Sequence, residues 1–107
     1  MSEITGGQKA FGDVAPRLGE YTDEVLFGDV WKREGLSPRD RSLATITTLI
    51  AGYRTNELPF HLKLALKNGL TRDEIAEVIT HLAFYAGWPC ASSATAIARK
   101  VFEEEGH

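Results

Sequence analysis

The sequence holds a single cysteine, Cys90, in 107 residues. One thiol cannot close an intramolecular disulfide or build a cysteine-rich zinc site, so packing alone must hold the fold. The composition fits a reducing compartment, and the expected location is cytoplasmic. Long apolar runs are lacking as well. No stretch approaches the roughly 20 residues that cross a bilayer. The opening MSEITGGQKAF has no charged segment followed by an apolar one, so neither a membrane anchor nor a secretory leader is expected. Neither sign of charge dominates: 12 Lys and Arg against 15 Asp and Glu leave −3, which gives no basic face for nucleic acid and no polybasic patch for a membrane. GxGxxG, P-loop and GxSxG patterns are absent, and the histidines form no HxxxH pair or His/Cys cluster. Neither an organic cofactor nor a metal is therefore expected.

What is present is helical punctuation. Residues 1–15, with Gly6, Gly7 and Gly12, read as a flexible N-terminal arm, and residues 16–107 as one helical domain. A chain of this length buries roughly 65% of its unfolded surface, enough to fold unaided. Ser37, Pro38 and Asp40 give a cap, a first-turn proline and an acid reaching back, after Gly35 has closed the preceding element. Thr71 to Glu74 repeat the device after Gly69, and Gly87, Trp88 and Pro89 restart the chain again. With Asn56 as cap, Pro59 falls in a first turn, where its missing N–H costs nothing. The spacing predicts helices near 18–33, 38–52, 57–68, 72–86 and 89–104, the first open to a break, with no strand. The segment RSLATITTLIAGY reads as a helix covered on every side. The helix over 57–68 is doubly apolar, with Leu58, Leu62, Ala65 and Leu66 on one face and Phe60 and Leu64 on another. One face is expected to pack within the subunit and the other against a second copy.

The stretch RTNELPFH, residues 54–61, gathers unlike chemistry. Glu57 and His61 lie four apart on one strip between the two apolar faces, with Arg54 just upstream and Arg39 and Arg41 at the start of the preceding helix. An acid, a base and cations that can fork onto carboxylates make a candidate site. Each has a plainer reading too. Glutamate near a helix N-terminus stabilises the helix, a histidine beside an apolar stripe can be a packing residue, and arginines can simply solvate helix ends. His81 and Tyr85, with Glu77 one turn earlier, form an i,i+4 pair that suits a helix–helix network. Trp31 and Trp88 suit a core or an interface, and Cys90 a small buried hydrophobe.

The blocks WKREGLSPR, ELPFHLKLALKNGLTRDE and YAGWP, in that order over about residues 24–103, resemble the carboxymuconolactone decarboxylase family. The resemblance implies an all-α subunit of about five to six helices, of the alkylhydroperoxidase D-like type, assembled as a homo-oligomer such as a trimer of dimers. In the peroxidase branch of that superfamily a C-x-x-C pair precedes the histidine. Here Arg54 and Glu57 stand at those positions, so a two-thiol cycle cannot run and the decarboxylase-like branch is implied. The implied reaction converts γ-carboxymuconolactone to the β-ketoadipate enol-lactone with loss of CO2, in aromatic catabolism via protocatechuate, without cofactor. On that reading His61 donates the proton and Glu57 supports it. Arg39, Arg41 or Arg54 binds a substrate carboxylate, and Trp31 or Tyr85 completes the pocket. The alternatives are a redox protein using Cys90 and a non-catalytic helical oligomer that binds a small acid.

Overall fold

The computed structural model describes residues 6–107, which are all-α: no strand occurs among the described residues. They fall into two compact units that divide between Pro38 and Arg39.

In the N-terminal unit, α1 (Gly6–Phe11) is followed by α2 (Pro16–Glu20), a π-helical segment (Tyr21–Phe27) and a 3₁₀ turn (Val30–Lys32). Of the arm expected over residues 1–15, residues 1–5 lie outside the described residues, while Gly6–Phe11 are helical and held. The buried Asp23 carboxylate accepts the Gly7 N–H at 2.6 Å and the Gln8 N–H at 3.0 Å, satisfying donors that the start of a helix leaves without partners. The approach is close enough to require glycine: a Cβ at Gly7 would stand 2.7 Å from the Gly19 carbonyl oxygen. The helix expected over 18–33 is broken. Thr22 turns its hydroxyl back onto the Leu18 carbonyl at 2.7 Å, in competition with the backbone ladder, and the chain widens to π spacing there.

The second unit holds α3 (Pro38–Ala51), α4 (Leu58–Lys67), α5 (Arg72–Tyr85) and α6 (Trp88–Glu105), close to the four helices expected there. Ile46 and Ile50 of α3, Leu58, Leu62 and Ala65 of α4, Ile75, Ile79 and Leu82 of α5, and Val101 and Phe102 of α6 share one core. Each large aliphatic side chain in it contributes about 1.5–3 kcal/mol of transfer free energy. Ala91, Ala94 and Ala98 are buried too, and these small residues let α6 lie close against α4 and α5.

Local chemistry sets the helix ends. Thr71 and Glu74 form the expected capping box, each side chain bonding the other's backbone N–H at 3.0 Å. At α4 the cap position falls on Glu57 rather than Asn56, and Pro59 takes a first-turn place either way because its missing N–H needs no partner. Asn68, at the end of α4, donates to the fully buried Ser42 hydroxyl at 3.0 Å, which ties the end of α4 to the first turns of α3.

The all-round cover expected for α3 is not found within the unit. Ser42, Ile46 and Ile50 are buried while Ala44 and Thr48 are exposed. Thr45 and Thr48 donate to the Arg41 and Ala44 carbonyls at 2.7 and 2.9 Å, so their hydroxyls are satisfied without cover. Of the two apolar faces of α4, Leu58, Leu62 and Ala65 are inside, Leu64 and Leu66 half-buried, and Phe60 exposed. Among the described residues no helix is long and apolar enough to cross a membrane.

Candidate functional site

The candidate site residues of the second unit divide between the two ends of α3. At its C-terminal end the helix closes with two backbone bonds, Tyr53 N–H to the Ile50 carbonyl at 3.1 Å and Arg54 N–H to the Leu49 carbonyl at 2.8 Å. These are the bonds of a Schellman closure, and they place Tyr53 at the left-handed position, with φ 60°. Gly52 stays out of that region. A Cβ there would stand 3.0 Å from the Thr48 carbonyl oxygen and 3.5 Å from Arg54 Cγ, so the Arg54 side chain folds back over the helix end. Arg54 is exposed, and its guanidinium has no hydrogen-bond or ion-pair partner among the described residues.

Three residues further on, Glu57 enters α4 with its carboxylate exposed, and its carbonyl accepts the His61 N–H at 3.4 Å. His61 is half-buried, its ring edge-on to Phe60 at 5.0 Å. Burial pushes the imidazole below its ordinary value, because the charged form loses water, and the Glu57 carboxylate pulls it partway back. The resting side chain is therefore mainly neutral near pH 7, beside a carboxylate that favours its charged form. The expected pairing of Glu57 with His61 is thus electrostatic, across one helical turn.

Arg39 and Arg41 lie on the first turn of α3, about 18 Å along the axis from its last turn. One chain therefore does not bring Arg39 and Arg54 onto one small molecule. Arg39 forms a close ion pair with Glu74 and a longer contact of 3.4 Å to Asp40, so its charge is engaged in tying α3 to the start of α5. Arg41 is half-buried one turn from the Thr45 hydroxyl, which bonds its carbonyl. Arg39 and His81 do line one groove between α3 and α5, of about 440 Å³, floored by Leu43, Val78 and Leu82. Its rim carries Glu74 and Glu77 against that single engaged arginine, which is a poor field for a dianion. Tyr85 is exposed and stacks on His81 at 4.7 Å. Trp31 belongs to the N-terminal unit, where its ring stacks on Phe27 at 5.9 Å. Among the described residues no group of His, Cys, Asp and Glu is arranged to hold a metal ion.

Two side chains at the C-terminal end of α3 escaped sequence reasoning. Tyr53 looks like an ordinary residue after a helix-ending glycine, and only the backbone closure shows that it, not Gly52, takes the left-handed place. Ser93, on α6, donates to the Tyr53 hydroxyl at 3.3 Å across forty residues of sequence, and no local pattern announces that contact.

The description "carboxymuconolactone decarboxylase family" matches residues 16–100 of the chain. The chain is 44% identical over 86 residues to a 4-carboxymuconolactone decarboxylase of Acinetobacter baylyi, covering 80% of this chain and 64% of that protein. It is 35% identical over 85 residues to a nitrosuccinic acid decarboxylase of Metarhizium robertsii, covering 79% of this chain and 59% of the relative. An uncharacterized 15.0 kDa protein of Paracoccus denitrificans is 32% identical over 99 residues, with 91% and 74% covered. The chain thus spans less than two thirds of the length of the two named decarboxylases. The helices, the order of blocks and these matches agree: the chain belongs to the carboxymuconolactone decarboxylase family.

Proposed function

We propose that the protein is a cofactor-independent carboxy-lyase of a small carboxylated lactone, with 4-carboxymuconolactone as substrate and the β-ketoadipate enol-lactone and CO2 as products. The observation that carries this reading is the C-terminal end of α3, where an unpaired guanidinium, a carboxylate and a partly desolvated imidazole follow one another within eight residues, Arg54 to His61. Support comes from the two named relatives, both called decarboxylases.

The chemistry asks little of the protein. When the ring carboxylate leaves as CO2, its electron pair passes through the ring double bond onto the lactone oxygen, so the substrate is its own electron sink. Arg54 holds a substrate carboxylate through a fork of N–H donors. A proton must then reach the carbon next to the lactone carbonyl, and His61 delivers it as imidazolium. A neutral resting imidazole is consistent with that role, because a dianion arriving beside it favours the charged form and draws in a proton as it binds. Glu57 supports that charge from one turn away.

We also read the outward face of α4, with the exposed Phe60, as surface that a second copy covers, in an assembly such as a trimer of dimers. Tyr85 is a candidate pocket wall. A cytoplasmic location is supported by the single cysteine. A thiol-based reading has less support: Cys90 points its thiol at the Ala51 carbonyl, 3.9 Å away, and the chain has no other cysteine to exchange with.

The test mixes the protein with freshly generated γ-carboxymuconolactone and follows loss of the lactone and release of CO2, with His61→Ala beside it. Turnover that needs His61 is expected. An intact protein that leaves the lactone untouched overturns the proposal and moves attention to binding without chemistry.

A further inference from the structure

Among the described residues Tyr53 is the one non-glycine residue with positive φ, and it is an unsuitable residue for the place. A side chain in the left-handed region crowds its own backbone, which is why helix ends of this kind normally put glycine there. The fold does not repay the strain. The ring is 57% exposed and takes no part in the core cluster. Yet it is held at both ends: the two backbone bonds of the Schellman closure fix its base, and Ser93 of α6 fixes its tip at 3.3 Å. The contact of Cys90 with the Ala51 carbonyl keeps the same stretch of α6 against the end of α3. Either hydroxyl can donate across the tip contact, and with Ser93 as donor the Tyr53 O–H proton is available to an acceptor from outside. An exposed hydroxyl donor, fixed in place and next in sequence to an unpaired guanidinium, is arranged for an oxyanion that comes from outside.

We infer that Tyr53 is a ligand-contacting residue whose phenol donates a hydrogen bond to an oxygen of the small carboxylate held by Arg54. The inference rests on the reading of the Arg54 to His61 stretch given above and adds to it a residue that nothing so far has assigned. Arginine supplies charge and affinity; the phenol, held at its base by the helix closure and at its tip by Ser93, supplies direction.

Two variants separate this role from a structural one. Tyr53→Gly relieves the backbone and removes the ring, while Tyr53→Phe keeps the ring and removes the donor. Each is compared with wild type by titration with paraconate, a saturated carboxylated lactone that lacks the ring double bond needed for decarboxylation, and by kinetics with γ-carboxymuconolactone, with size-exclusion profiles alongside. The expected result is a melting temperature unchanged or raised in Tyr53→Gly, together with a roughly tenfold or greater loss of paraconate affinity and a matching rise in KM in both variants. A glycine variant that is stable and binds as wild type overturns the inference, as does a phenylalanine variant with full affinity. So does a loss seen only when an oligomer falls apart. Wild-type protein that binds paraconate through Tyr53 but leaves the lactone intact rejects the decarboxylase reading and keeps this one. Full turnover with unchanged KM in both variants does the reverse, and a wild type that neither binds nor turns over rejects both.

Discussion

The two ends of α3 spend their charges differently. At the N-terminal end Arg39 is drawn onto Glu74, which is already bonded to the Thr71 N–H, so a cation, an acid and a helix cap close on one another. At the C-terminal end Arg54 has no ionic partner among the described residues, the Glu57 carboxylate is exposed, and His61 is held below its ordinary protonation by burial. Paired charges direct their field at each other and hold helices in register. Unpaired ones leave it available to a ligand. The presence of arginine at both ends therefore says little; what engages each arginine decides whether its charge serves the fold or stays open to a ligand.

The sharpest way to break this contrast is at His61. His61→Ala is expected to lower kcat about 10²- to 10⁴-fold, the usual range for loss of a general acid, while the melting temperature changes little because the ring is only half-buried. A purified variant that keeps its rate would show that the C-terminal end of α3 is no more chemical than the other.

The next effect separates the arginines. Arg54→Ala should raise KM for the lactone by about ten- to a hundredfold, a loss of 1.4–2.8 kcal/mol of carboxylate binding, with a much smaller change in kcat. Arg39→Ala should act mainly on stability, since it leaves Glu74 without its cation. Equal rises in KM from both would mean that the two ends of α3 meet at one site, through different subunits of an assembly.

How much of this could be read beforehand follows from how local each cause is. The limits of α5 were legible because Thr71 and Glu74 cap each other within four residues, and the two faces of α4 were legible because helical spacing alone separates Phe60 from Leu62. Which arginine is engaged was not legible: Arg39 and Glu74 lie 35 residues apart and meet only through the packing of α3 on α5. The π-helical widening at Tyr21–Phe27 and the left-handed Tyr53 escaped for a related reason. The residue pattern left the helix over 18–33 open to a break and ran the next one to residue 52, and the geometry of neighbouring carbonyls decided the backbone in each place.

Acidity sharpens the contrast further. If protonated His61 is the acid, kcat/KM should fall as pH rises through a value below that of an ordinary histidine, since burial lowers it in the free protein. Glu57→Gln removes the influence that opposes burial and should move that limb to still lower pH. The limb in kcat should lie higher than the limb in kcat/KM, because the bound dianion favours imidazolium. Stability runs the other way. The folded protein prefers neutral His61, so this part of its stability is complete above the unfolded histidine value and is lost as pH falls through the lowered folded one. Coincident kcat and kcat/KM limbs would place the dianion away from His61.

The smallest expected effect lies at the N-terminal end of α3. The Glu74 carboxyl is held below its ordinary value first by the Thr71 backbone N–H and then by Arg39, against the opposing effect of desolvation. A folded value below the unfolded one means stability that is present above the ordinary carboxylate range and lost as pH falls through the folded value. Glu74→Gln should therefore lower the melting temperature slightly at neutral pH, and the gap from wild type should close in acid, where the wild-type carboxyl is protonated too. Turnover and KM should stay where they were, because this charge is engaged with the fold. A Glu74→Gln protein with normal stability and a raised KM would reverse the assignment, making the groove between α3 and α5 the place where substrate is met and the pairing of Arg39 with Glu74 a gate that substrate must open.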